Sequence, residues 1–314
     1  MHNNLSAETP LNKALQLLSL LMVLFGFVVL GSVVFMQSLQ LMLGKSFTST
    51  ASLFEILKSE PDNNYYLLIA QMFTALTSFI FLPYLYAKYF LKDLFYSIQF
   101  SIYSNPLLMV LAAGISLFAF PAIGYLAELN KQLLLNLPGI GNLLSWMQKS
   151  EAEAKQLTEL MVYFHTTSQS LLALLVIAIL PALGEEFLFR GIIQNRLKDI
   201  FSNPHVAIWA TGFLFSFIHF QFFGFIPRMF LGVLFGYIYH WSGNLWLPIL
   251  MHFINNATTL LVVNWQRQQG VADALDTEQQ APISVVIICS SILVWLVWLF
   301  VIQCKRIEKL PKNI

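Results

Sequence analysis

The sequence predicts an all-α membrane protein, a polytopic bundle of about eight transmembrane helices. Three observations predict it. Of 314 residues, 57% are hydrophobic and 11% charged, with mean hydropathy +0.68, which is more apolar surface than a soluble domain can bury. Apolar runs long enough to cross ~30 Å of hydrocarbon, about 20 residues each, recur along the chain. The later runs are shorter and interrupted by Gly, Pro and polar side chains, as in helices that line a site and do not face lipid.

The first run, 15–43, is too long for the apolar core of a secretory leader and lacks a small-x-small cleavage pattern, so it reads as the first membrane helix. Runs 66–89 and 106–129 complete three helices that precede any chemistry. Segment 138–159 joins Leu-Leu-Ser-Trp-Met to a charged run and reads as a short interfacial helix with a polar connection. Run 171–183 leads straight into Glu185 and Glu186. Runs 208–223 and 225–239 are separated only by a turn around Pro227, and 245–263 and 285–301 complete the count. No internal repeat is visible, so the chain reads as one membrane domain. Within it, 1–165 carries no recognisable motif, 166–265 carries the chemistry, and 266–314 holds the last helix and a basic tail.

A net charge of +1 and a sequence pI of about 7.8 offer no field for nucleic acid, and membrane lipid is the partner that composition implies. Cys289 and Cys304 lie in or beside the last apolar run with no Cys-x-x-Cys spacing, and read as buried or lipid-facing thiols. Lys305, Arg306, Lys309 and Lys312 place the C-terminus in the cytoplasm, and an even number of spans places the N-terminus there too. The same topology keeps Lys88, Lys92, Arg196 and Lys198 inside, although Lys131, Lys149 and Lys155 then fall outside. The expected location is a bacterial inner membrane with both termini cytoplasmic.

Ionisable groups inside apolar helices are costly, so those present direct attention to function. They are Glu185, Glu186 and Arg190, then His219, then His252 with its neighbour Asn256. Glu186 and Arg190 are four residues apart and can pair on one helical face, while Glu185 is turned roughly 100° away and can serve something else. Phe215 and His219, and likewise His252 and Asn256, share this spacing on two further helices. A carboxylate, two imidazoles and an amide are what amide hydrolysis needs: a base for water, a partner to orient it, and oxyanion donors. Each element also has a bland reading, as a helix-end ion pair, a packing histidine or interhelical glue, and all three would have to hold together.

Glu-Glu-x-x-x-Arg, then Phe-x-x-x-His, then His-x-x-x-Asn resembles the three signature motifs of the CPBP family, the CAAX proteases and bacteriocin-processing enzymes. The match covers Glu185 to Asn256, roughly a quarter of the chain. The resemblance implies a bundle of about eight helices with a catalytic cavity facing the cytoplasm, expected here to open near Arg196 and Lys198. It implies an endopeptidase in which Glu185 activates water, His219 partners it, His252 and Asn256 serve the oxyanion, and Glu186, Arg190 and Phe215 support them. The implied substrate is a peptide or protein with a hydrophobic or lipidated C-terminus.

No cofactor is favoured, although zinc on Glu185, His219 and His252 is an alternative. No His-Glu-x-x-His motif occurs, and no apolar span holds an aspartate, which disfavours an aspartyl mechanism. Ser216, one turn from His219, is expected only to pack or bond to backbone. The competing readings are a non-catalytic immunity or scaffold protein that uses the polar cluster as glue, and a transporter.

Overall fold

The computed structural model describes residues 10–47, 50–59, 63–98, 105–162, 166–271 and 281–308. Every regular element among them is helical. Among the described residues, seven helices are long and apolar enough to span a bilayer: α1 (Leu11–Leu43), α2 (Asn64–Phe90), α3 (Pro106–Leu135), α5 (Thr167–Phe201), α7 (Phe222–Ser242), α8 (Trp246–Gln268) and α9 (Ile283–Ile307). Between them lie α4 (Gly141–Met161) and α6 (Pro204–Phe217), with short helices at Thr50–Ser59 and Lys92–Ser97.

The expected eight spans are thus seven long helices and one short one. The run expected at 208–223 is α6, whose 14 residues reach only about 21 Å. It ends in a turn whose backbone carbonyls are bonded by side chains of α3 and α4, so irregular backbone there is satisfied by other helices. A second correction concerns 138–159, which is one 21-residue helix, α4, running through the charged segment and not a short helix with a polar connection. Its Ala, Glu, Gln and Lys residues favour helix, and Lys149–Glu153 and Lys155–Glu159 pairs at 4.0 and 3.9 Å add support of about 0.2–0.5 kcal/mol each. None of its described residues is buried, as befits an element lying on the bundle.

Local sequence sets the helix starts. Asn105 and Asn203 cap α3 and α6, each followed by Pro at the first position, where the missing N–H costs nothing. Thr166 and Gln169 form a capping box at the start of α5.

Prolines inside the spans shape the middle of the bundle. In α5 a π-helical stretch, Leu174–Ile179, runs into Pro181, and in α2 another, Leu76–Phe81, runs into Pro83. A proline removes the donor for the carbonyl four residues earlier, so Ile177 and Phe79 need other arrangements. α5 has a second π-helical stretch at Phe187–Gln194, just after the paired glutamates.

Close approach needs small residues. A Cβ on Gly184 would sit 2.8 Å from Phe79 Cβ, which is how near α5 lies to α2. Where α6 crosses α7, a Cβ on Gly232 would sit 3.0 Å from Gly212 Cα. α9 lies against α3, and α1 against α2. The outer faces of α1 and α9 expose Leu15, Phe25, Ile287 and Trp298, as lipid-facing surfaces do.

Candidate active site

The paired glutamates sit near the middle of α5, and their neighbours come from α6, α7 and α8. Glu186 and Arg190 are fully buried and joined by a 2.8 Å Nη1–Oε1 bond, as their spacing predicts. The same Glu186 oxygen also accepts from His252 Nδ1 at 2.7 Å, linking α5 to α8, a contact the spacing could not disclose. Arg190 Nη2 donates to the Gly232 carbonyl at 2.8 Å. Its guanidinium lies between the rings of Phe215, 4.9 Å away, and Phe235, 5.5 Å away. Phe215 packs also against Phe189, His219 and His252.

One turn further along α5, Gln194 Nε2 donates to the Gly236 carbonyl at 3.0 Å. Gly232 and Gly236 are thus the small residues of a Gly-x-x-x-Gly pattern that bring α7 close enough for two α5 side chains to reach its backbone.

Glu185 faces away from this pair, into a cavity of about 440 Å³ that His219, His252 and Asn256 also line. No hydrogen bond to the Glu185 carboxylate occurs among the described residues. His219 follows the end of α6 in a turn where Phe220 has φ 52°, a left-handed conformation that costs an aromatic residue of order 1–3 kcal/mol. Its Nδ1 contacts the Phe215 carbonyl at 2.7 Å. A carbonyl only accepts, so Nδ1 carries the proton and Nε2 is left as an acceptor. The partner of His252 Nδ1 is a carboxylate, so the same reasoning leaves its Nε2 available. For that nitrogen to donate, the ring must hold both protons, a charge that Glu186 is positioned to balance.

Asn256 Nδ2 donates to the Ile177 carbonyl at 3.1 Å, which is the carbonyl that Pro181 deprives of its helical partner. The helix break and the orientation of the amide are therefore one feature. Asn255 Nδ2 holds the Asn256 side-chain oxygen at 3.2 Å, leaving the second Nδ2 hydrogen of Asn256 unused by these bonds.

The turn bearing His219 is clamped from outside α6. Asn130 of α3 donates to the Phe222 and Phe223 carbonyls at 2.7 and 2.6 Å, and Ser150 of α4 donates to the Phe220 carbonyl at 3.1 Å. Ser216 Oγ donates to the Phe225 carbonyl at 2.7 Å, the backbone role expected of it.

Several cavity residues escaped the sequence reading. Gln71 of α2, Ile123 of α3, and Thr158 and Met161 of α4 contribute walls from the half of the chain that carried no motif. Arg228 also lines the cavity. Pro227 and Arg228 were read as a turn, but they lie in the first turns of α7, where proline is at home. The signal was present: Arg228 is an ionisable residue within an apolar run.

The expected opening beside Arg196 and Lys198 is not where the cavity lies. Those two residues line a separate pocket with Lys92 and Asp93. Arg196 is eleven residues past Glu185, about 16 Å along α5, whereas Ile177, Met161 and Thr158 extend the site cavity toward α4. Among the described residues, no three His, Cys, Asp or Glu side chains group closely enough to hold a metal ion.

Residues 167–258 match the family model described as type II CAAX prenyl endopeptidase Rce1-like. That stretch is similar to an Rce1-like domain and covers less than a third of the chain. That domain contains every candidate residue from Glu185 to Asn256, and also Arg228. Over 95 residues, 29% of this chain, the sequence is 30% identical to the uncharacterized protein YpbD of Bacillus subtilis. The match spans 46% of that relative, about half its length. No solved structure matches the chain.

Proposed function

We propose that the Rce1-like domain is an intramembrane endopeptidase that hydrolyses a peptide bond with water activated by Glu185. The observation that carries this reading is the convergence of Glu185, His219, His252 and Asn256, from three separate chain segments, on one cavity. Glu185 accepts one proton from water and hands it to the leaving amine nitrogen as the C–N bond breaks, while His219 Nε2, an acceptor held by the bond at Nδ1, accepts a hydrogen bond from the hydrogen that stays on the attacking oxygen and so orients it. The oxyanion that forms is met by Asn256 Nδ2 and by the ring of His252, which Glu186 and Arg190 hold in place. Substrate is a peptide or protein segment that enters from the bilayer, with an apolar or lipid-bearing C-terminus.

We assign the end of the bundle that carries Lys13, Lys88, Lys92, Arg196, Lys198, Lys305 and Arg306 to the cytoplasm of a bacterial cell, with Lys45, Lys58, Lys131, Lys149, Lys155 and Arg267 toward the other end. The cavity extends toward α4, so under this assignment it opens on the extracytoplasmic side, and under the reverse assignment on the cytoplasmic side expected from the sequence. A cysteine at Thr158 should then react with a membrane-impermeant thiol reagent added to intact cells, and labelling only in inverted vesicles would reverse this orientation.

The test of the activity compares membranes holding wild-type protein with membranes holding Glu185→Gln. New peptide termini should appear only with the former, since Gln keeps the shape but cannot take a proton. Equal termini in both would favour the scaffold reading. Zinc remains a separate question: stoichiometric metal in purified protein, lost from His252→Ala together with chelator-sensitive turnover, would replace the metal-free mechanism and keep the site.

A further inference from the structure

We propose that the pocket between the end of α2 and the end of α5 holds the phosphate of an anionic phospholipid headgroup, with Lys92, Arg196 and Lys198 as its cations. The inference concerns a site apart from the Glu185 cavity and does not rest on the peptidase reading.

Breaks in helix geometry build the pocket. α2 stops at Leu91, where φ −125° and ψ 48° turn the chain into the short helix Lys92–Ser97. That segment packs back against α5, and Gly191 permits the approach, since a Cβ there would stand 3.4 Å from Ile98 Cδ1. Asn195, the first residue past the π-helical stretch of α5, is fixed by donating to the Arg190 and Gly191 carbonyls at 3.1 and 3.0 Å. Asn195, Arg196, Lys198 and Asp199 then line, with Lys92 and Asp93, a pocket of about 470 Å³, within the size range of small-molecule sites.

Its charges are not spent on one another. Among the described residues, Lys92, Arg196 and Lys198 make no ion pair and no side-chain hydrogen bond, although Asp93 and Asp199 line the same pocket. Arg196 is half-buried, and Lys13, whose Nζ donates to Ser202 Oγ at 3.2 Å, adds positive charge beside it. A phosphate oxyanion is the partner that Arg and Lys donors satisfy most strongly. The two carboxylates only accept, so they suit a headgroup that also carries hydroxyls, as phosphatidylglycerol does.

Position selects a lipid over a soluble phosphate. Two spans end at this pocket, α2 at Phe90 and α5 at Phe201, which is the depth of headgroups. Phe90 is 77% exposed on the pocket wall, and Tyr89 beside it is 60% exposed. Lys88 lies over the rings of Tyr84 and Tyr89 at 5.4 and 5.7 Å. Rings and cations together belong to the membrane interface, and a free phosphate would leave the exposed rings without a partner.

The competitor is a diffuse positive surface that orients the protein and holds no particular lipid. Delipidated full-length protein in dodecyl maltoside is incubated with an equimolar mixture of dioleoyl phosphatidylglycerol, phosphatidylethanolamine and phosphatidylcholine. Retained lipid is read by native mass spectrometry, with and without glycerol 3-phosphate equimolar to the lipid.

Wild type should retain one phosphatidylglycerol with a preference of roughly 10-fold or more over the two zwitterionic lipids. The double variant Arg196→Gln/Lys198→Gln should lose that preference. Lys305→Gln/Arg306→Gln, which removes two cations of α9 outside the pocket, should keep it. Glycerol 3-phosphate should not displace the lipid. The preference of wild type needs no variant, so a poorly folding double variant does not blunt the test. Equal retention of the three lipids, or equal loss in the two double variants, overturns the proposal in favour of the diffuse surface. Displacement by glycerol 3-phosphate overturns it in favour of a soluble phosphate ligand.

Discussion

α5 and α9 are both apolar enough to span a bilayer, yet 56% of the most apolar stretch of α5 is buried within the protein and only 17% of that of α9. Lipid and apolar side chains are equivalent surroundings for a leucine, so hydrophobicity does not decide which helix goes inside. What differs is polar content and side-chain size. α5 carries Glu185, Glu186, Arg190 and Gln194 through its second half, each needing partners that lipid cannot give, and Gly184 admits α2 closely. α9 presents Ile287, Val294, Trp295 and Trp298 outward and keeps Lys305 and Arg306 at its end. The inner helix is the one that cannot be satisfied by the bilayer.

The largest expected effect tests that statement. Arg190→Met leaves the Glu186 carboxylate buried without its cation and should cost about 3–5 kcal/mol in detergent unfolding. Leu18→Ala on the exposed face of α1 should stay within about 0.5 kcal/mol. Similar losses for the two would sink the contrast between inner and outer helices. Next comes Asn256→Ala. It should lower peptide turnover by ~10²-fold, as loss of an oxyanion donor does, while its unfolding midpoint moves far less than that of Arg190→Met. Turnover unchanged by this substitution would remove Asn256 from the chemistry.

Packing gives a smaller contrast. Gly184→Ala forces a Cβ against Phe79 Cβ, which is not a flexible tip, and should destabilise by about 1–3 kcal/mol. Gly26→Ala in α1 meets nothing within 4 Å and should be neutral or stabilising by up to about 1 kcal/mol. Thermal melts of the pair give the sign directly. The smallest effect is expected for Ser78→Ala, which removes the bond from α2 to the Phe27 carbonyl of α1 at 3.1 Å. Interhelical bonds of this kind average about 0.6 kcal/mol in membranes, and a loss above about 2 kcal/mol would mean that Ser78 does more than join two helices.

By itself the sequence determined the class of fold and singled out the polar residues Glu185, His219, His252 and Asn256 that line one cavity. Apolar runs of bilayer length can be satisfied only as helices, because no water is present to receive the backbone, and ionisable residues within them stand out because they are expensive there. The Glu186–Arg190 pair was legible for the same reason, since four residues bring two side chains to one face of a helix. The tertiary structure alone decided that His252 shares the Glu186 oxygen, that Asn256 takes the carbonyl left by Pro181, and that Arg228 lines the cavity while Arg196 does not. It also decided that α6 stops at Phe217 and that the unmotifed first half supplies Gln71, Thr158 and Met161 to the wall. These are relations between helices, and a helical period carries information about its own faces but none about which neighbour, at what depth, each face will meet.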